Sequence, residues 1–365
     1  MIRQCYSLVF AIALAGQSSA NFDTLVRDAD SARDAGKMER AVTRYQQALQ
    51  LKPDWKEGWW VLGSILYDSN HYLEGEEAFL PLTVLDPQNS AGWAMAGLCE
   101  FETKHYQDAL AHLQKATRLG LPESLYDVTQ YHIALILIRI GEFDPALELI
   151  SRYAARGADN PKLVEAMGIA ALRRHILPSE LPPGDRDLVM ALGRAMCDAA
   201  ASHGKDATNE FEAIIAKYPK VPQLHYLEGL VFLQSDADKA LAAFQQELIL
   251  SPKHPQALIS IAAEYVKQNE YQTALPFAEK AAACDPHYFA THAMLGKVLT
   301  EGNLDPPRGV KELETAVKMA PENPQSRLAL ASAYAKAGRK QDAATQRAEF
   351  LRLRNQKDES SAGAK

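Results

Sequence analysis

An all-α array of helix pairs is the fold class this sequence predicts, and three observations predict it. Hydrophobic residues make up 47% of the 365 but aromatic ones only 8%, and long β-branched runs are missing, a balance that favours helix over strand. Side chains recur at a fixed step: Tyr45, Phe79 and Leu113 stand 34 residues apart, as do Ala41, Gly75 and Ala109, and later Ala240 with Ala274 and Phe244 with Ala278. Prolines recur in the same frame at Pro53, Pro87, Pro219, Pro252, Pro286 and Pro321, where a ring without an N–H ends a helix.

The chain opens with a leader-like segment, residues 1–20. Arg3 supplies a positive start, Ser7 to Gly16 is apolar, and Gln17-Ser18-Ser19-Ala20 offers small residues for cleavage before Asn21. The apolar stretch of about ten residues is well short of the ~20 needed to span a bilayer. Cys5 precedes that stretch, so the place of a lipid-modified cysteine is empty. The expectation is an exported protein, periplasmic or secreted, with no integral membrane span.

Four helix pairs are expected over 21–160, beginning near Phe22, Lys56, Ser90 and Asp127. Each first helix carries a small residue midway, such as Ala29, Gly63, Gly97 or Ala134, where the second helix approaches closely. Glycine costs about 1 kcal/mol against alanine inside a helix, so its recurrence there needs a packing reason. The facing small residue on the second helix is followed four positions later by a large apolar one that fills the gap.

Ala146 and Ala207 lie 61 apart, and this break defines a separate segment, 161–187. Pro161 to Arg174 reads as a further first-type helix around Gly168, and the stretch from Pro178 to Gly184 reads as a non-helical linker. Five more pairs are expected over 188–357, beginning near Leu188, Pro222, Pro255, Phe289 and Pro324. The tail 358–365, Asp358 to Lys365, lacks large apolar side chains and is expected to be disordered.

In this frame the sequence resembles the tetratricopeptide-repeat (TPR) family. Trp59, Leu62, Gly63, Phe79 and Pro87 match the family signature at its spacing, and the likeness extends over nearly the whole chain beyond the leader. The resemblance implies a TPR α-solenoid, a right-handed superhelix of antiparallel helix pairs, that binds protein or peptide partners along a groove lined by first helices. Groove positions read from helical period and family geometry are Trp60, Tyr67, Leu98, Phe101, Tyr131, Leu135 and Tyr226. Trp59, by contrast, is a structural position of the signature. The family's lysine and asparagine clamp for a terminal carboxylate has Val26, Asp30, Trp60 and Ser64 in its place, so a chaperone tail is not expected.

Little in the chain points to chemistry. It has no G-x-S-x-G elbow, no phosphate-cradling glycine loop and no H-E-x-x-H. Cys284, His287 and His292 fit no zinc spacing, and no metal or cofactor is expected. His132, His203, His225 and His254 read as isolated surface residues, with the carboxylates on solvent faces. Net charge is −7, with basic residues scattered, which gives no footprint for nucleic acid. Cys99, Cys197 and Cys284 fall in non-adjacent pairs, too far apart for a disulfide. The expected function is a non-catalytic protein-binding scaffold of the cell envelope; a structural spacer, or a targeting subunit of an enzyme complex, is the alternative.

Overall fold

The computed structural model describes residues 20–155, 160–201, 204–233 and 235–362, and all regular structure among them is helical. The expected leader, residues 1–20, lies outside the described residues except for Ala20. The chain divides into two compact units, Met1–Pro183 and Gly184–Lys365.

The first unit holds α1 (20–34), α2 (Met38–Leu51), α3 (Lys56–Asp68), α4 (Tyr72–Leu85), α5 (Ser90–Glu102), α6 (Tyr106–Leu119), α7 (Glu123–Ile140), α8 (Phe143–Ala154) and α9 (Pro161–Ala171). The second holds α10 (Arg186–Ala200), α11 (Gly204–Lys217), α12 (Leu224–Phe232), α13 (Ala237–Leu250), α14 (Pro255–Lys267), α15 (Tyr271–Cys284), α16 (Phe289–Glu301), α17 (Pro306–Met319), α18 (Pro324–Lys336) and α19 (Lys340–Ala362). Within each unit consecutive helices pack together, and first helices also meet first helices, as α5 does α7 and α14 does α16.

Local chemistry sets the helix ends. Between the helices of seven pairs the chain turns through one residue of positive φ, supplied by Gly36, Gly141 and Gly338, by Asn70, Asn269 and Asn303, or by Lys104. First helices start where Asn89, Asn160, His254 and Asn323 accept a backbone N–H two or three residues on. Pro161, Pro255 and Pro324 occupy the first turn, where a missing N–H costs nothing.

The mid-helix glycines have the expected cause. A Cβ on Gly63 would sit 2.7 Å from the Phe79 ring, and one on Gly229 would sit 2.5 Å from Phe244. Gly97 and Gly296 meet Leu113 and Leu313 in the same way. The large side chain four positions after the small residue of the second helix thus enters the space the glycine leaves. Tyr45, Phe79, Leu113, Phe211 and Phe244 are among the most deeply buried side chains, each worth about 1.5–3 kcal/mol of transfer free energy.

A second repeated device ties the turns between pairs. Trp59 Nε1 donates to the Pro53 carbonyl (2.8 Å) and Trp93 Nε1 to that of Pro87 (3.0 Å). In the second unit His292 Nε2 reaches the Pro286 carbonyl at 3.0 Å, and Arg327 Nε donates to that of Pro321 at 2.8 Å. Three side-chain chemistries therefore do the same work six residues after the closing proline.

The structure departs from the sequence reading in three places. The segment Pro178–Gly184 is not wholly extended: short 3₁₀ turns form at Pro178–Glu180 and Pro183–Asp185, because proline at the first position presets φ. Glu180 pairs with both terminal nitrogens of Arg139 (2.8 and 2.9 Å), which latches the first turn to the end of α7. In the tail, the backbone stays helical through Ala362 rather than leaving the helix at 358; extending an existing helix avoids the cost of a nucleus. The histidines and carboxylates are not all on the surface. His254 is buried as a helix cap, His132 is partly buried with its ring against Phe101, and Glu100, Glu247 and Glu264 are buried. His203 lies outside the described residues.

Finally, the cysteines differ in burial: Cys99 is buried between helices, whereas Cys197 and Cys284 are only half-buried.

Candidate binding grooves

The seven groove positions separate when placed on the structure. Leu98, Phe101 and Leu135 retain only 2%, 8% and 5% exposure and belong to the packed interior, not to an open face. The reason is that α5 and α7 are covered on several sides: α5 buries an unbroken run from Ala94 to Phe101, because first helices pack on both their second helices and each other. Trp60, Tyr67, Tyr131 and Tyr226 are half-buried.

Each of these four rings rests on another ring. Trp60 meets Phe79 edge-on at 5.7 Å, and Tyr67 meets Tyr72 at 5.5 Å. Tyr131 and Phe101 approach His132 at 5.6 and 4.8 Å, so the structure brings this pair together across one imidazole. Tyr131 also lines a small cavity of 90 Å³ between α7, α8 and α9. Tyr226, in the second unit, lies on Phe244 and His254.

Burial fixes the protonation of these groups. It pushes the Tyr67 hydroxyl up to about 12, helped by Glu102, and raises Tyr131. His132 is held below its usual value by burial, against the pull of the Val128 carbonyl that its ring reaches at 2.6 Å.

An open groove lined by first helices lies instead in the second unit. It has a volume of 380 Å³ and is bounded by α14, α16 and α18, with Ile259, Phe289, Met294, Ala329 and the exposed Leu328 as its apolar surface. Lys297, Glu301, Asn323 and Gln325 supply polar groups at its edges. None of the groove positions expected from the sequence, Trp60 to Tyr226, lines this groove. The available signal was apolar residues at groove-facing positions of three successive first helices, with Phe289 as the aromatic ring among them.

A second trough, of 480 Å³, lies in the first unit between α2 and α4 over α3, floored by Leu49, Leu62, Leu66 and one side of Trp59. Nearby in the repeat, Trp93 is covered by His112 at 4.9 Å and by the Lys115 ammonium at 3.5 Å. His112 Nδ1 stands 2.8 Å from both oxygens of the buried Glu100.

The tetratricopeptide-repeat family model matches residues 27–79, 62–120, 198–255, 234–289 and 301–356. The unmatched stretch between the first two blocks and the rest begins where the third pair loses its regular proline and runs through α7, α8, α9 and most of α10. Among curated proteins, 100 residues are 32% identical to the probable biofilm formation methyltransferase WspC of Pseudomonas putida, covering 27% of this chain and 23% of that protein. A stretch of 123 residues is 30% identical to the human protein O-mannosyl-transferase TMTC3, covering 33% of this chain and 13% of that one. The matched region thus spans less than a quarter of either relative. Among solved structures, MamA from Desulfovibrio magneticus RS-1 (residues 41 to its end) is 20% identical with a TM-score of 0.41, over 47% of this chain and 97% of that one. A further MamA crystal structure is 14% identical with a TM-score of 0.39, over 45% and 96%.

Proposed function

Because the chain belongs to the tetratricopeptide-repeat family, we propose that it is a non-catalytic scaffold that holds a partner polypeptide in the groove between α14, α16 and α18. The observation that carries this is the open apolar surface of Ile259, Phe289, Met294 and Leu328 on three first helices, rimmed by polar side chains that can pair with a peptide backbone. An apolar side chain of the partner would fill the groove centre, and Asn323, Gln325 and Lys297 would orient the chain around it. Three partly or fully buried carboxylates are engaged in structural contacts: Glu312 with His292, Glu100 with His112, and Glu247 with the start of α12.

The leader pattern of Arg3, the apolar Ser7–Gly16 and the small residues before Asn21 supports export to the cell envelope. N-terminal sequencing of protein recovered from the envelope is expected to begin at Asn21, and full-length protein confined to the cytoplasm would remove this part of the reading.

The groove is tested by affinity capture from envelope extract with the wild-type chain and with Leu328→Asp, an exposed position whose change leaves helicity intact. Wild type is expected to enrich a discrete set of polypeptides that the variant loses. Equal capture by both would exclude the groove as the site.

A further inference from the structure

We infer that the trough between α2, α3 and α4 is a second binding site, taking a lysine or arginine side chain carried on an apolar segment of a partner protein. The argument comes from comparing four equivalent positions. Trp59, Trp93, His292 and Arg327 each anchor a turn by a bond to the preceding proline carbonyl. At three of them a side chain of the following second helix covers the anchor. His112 lies on Trp93, Glu312 bonds His292 at 2.6 Å, and Gln346 bonds Arg327 at 2.9 Å.

The covering residue stands in each case three positions after the small residue of its helix: Ala109, Gly309 and Ala343. In the second pair that small residue is Gly75, and the covering position is Ala78. The position of Lys115, whose ammonium caps Trp93, is taken there by Pro81. Trp59 therefore lacks both the imidazole and the cation that its counterpart receives within the chain, and the 480 Å³ trough opens beside it, lined by Trp59 and by Ala78 at the covering position.

Charge selects the occupant. Glu74 and Glu77 stand exposed along the trough, and neither has an ion-pair partner among the described residues. Carboxylates beside an uncovered indole face attract a cation twice, through charge and through the ring quadrupole. Leu62 and Leu66 on the floor accept the apolar part of the segment. The neighbouring pair already realises this contact, with Lys115 3.5 Å from the Trp93 ring centre.

The site is distinct from the groove between α14, α16 and α18, and the two are separable by experiment. The probe is a fluorescein-labelled amphipathic helix of leucine and lysine, compared with its leucine and glutamate counterpart, read by anisotropy at 0.15 M salt on the full chain. The basic peptide is expected to bind and the acidic one not. Pro81→Lys, which supplies the cation from within and removes a helix-interior proline, should weaken binding at least tenfold. Glu74→Gln with Glu77→Gln, both exposed, should do the same without loss of helicity, while Leu328→Asp leaves binding unchanged. Failure of the basic peptide to bind, equal binding of the acidic peptide, or unchanged affinity in the Pro81 and glutamate variants overturns the inference. So does loss of binding in Leu328→Asp alone.

Discussion

Burial and pairing decide what individual side chains can do here. Cys99 sits between helices, and burial, reinforced by Glu76, pushes its thiol up to about 12, so almost no thiolate exists at neutral pH. A maleimide titration is expected to leave Cys99 unmodified in the native protein and label it in denaturant; rapid native labelling would place it outside the core. His292 behaves oppositely to His132. Burial works against its charge, but the Glu312 carboxylate and the Pro286 carbonyl outweigh that and raise it. A histidine held above its unfolded value of about 6.5 contributes stability in full below that pH and loses it as pH rises through the folded value. Glu312→Gln is therefore expected to lower the melting temperature more at pH 6 than at pH 8. An equal loss at both would show that the pair is not ionised. The sequence could not reveal this pair as one, because His292 and Glu312 are on different helices and only the repeat register aligns them.

At the level of elements, one helix start depends on a residue remote in sequence. Gln223 at the head of α12 has φ of 80° and offers no side-chain cap. The N–H groups of Gln223 and Tyr226 are accepted instead by Glu247 of α13, at 2.9 and 3.3 Å, and that carboxylate has 0% exposure. Glu247→Ala strands those donors in the interior and is expected to cost about 1–3 kcal/mol, measured by chemical denaturation; a change below about 0.5 kcal/mol, the range of ordinary surface substitutions, would contradict the assignment. The helices themselves were legible because proline, glycine and the 34-residue step act locally. Buried caps such as Glu247 were not, since a carboxylate in sequence looks the same on a solvent face and under a helix end. Three groove positions, Leu98, Phe101 and Leu135, are covered for a related reason: helical period places a residue on a face, but not what covers that face.

For the whole molecule, the division at Pro183 and Gly184 falls inside the segment that the missing repeat step set apart. Each unit has its own buried core, with Tyr45, Leu62 and Ile65 in one and Ala274, Leu295 and Val298 in the other. In a linear array stability is a sum of local and nearest-neighbour contributions, so unfolding is expected to depart from a single two-state step. Fragments ending at Pro178 and beginning at Asp185 should each be helical by circular dichroism, and a random coil in either would mean that its core needs the rest of the chain. The indole bonds to Pro53 and Pro87 have an optical consequence for that experiment. All four tryptophans lie between positions 55 and 93, and two of them are fastened to successive turns of the first unit. Their emission is thus a local gauge, blind to everything after Gly184, whereas ellipticity averages over both units. The separation between the two melting curves, taken on the intact chain with no label added, reads directly how independently its halves come apart.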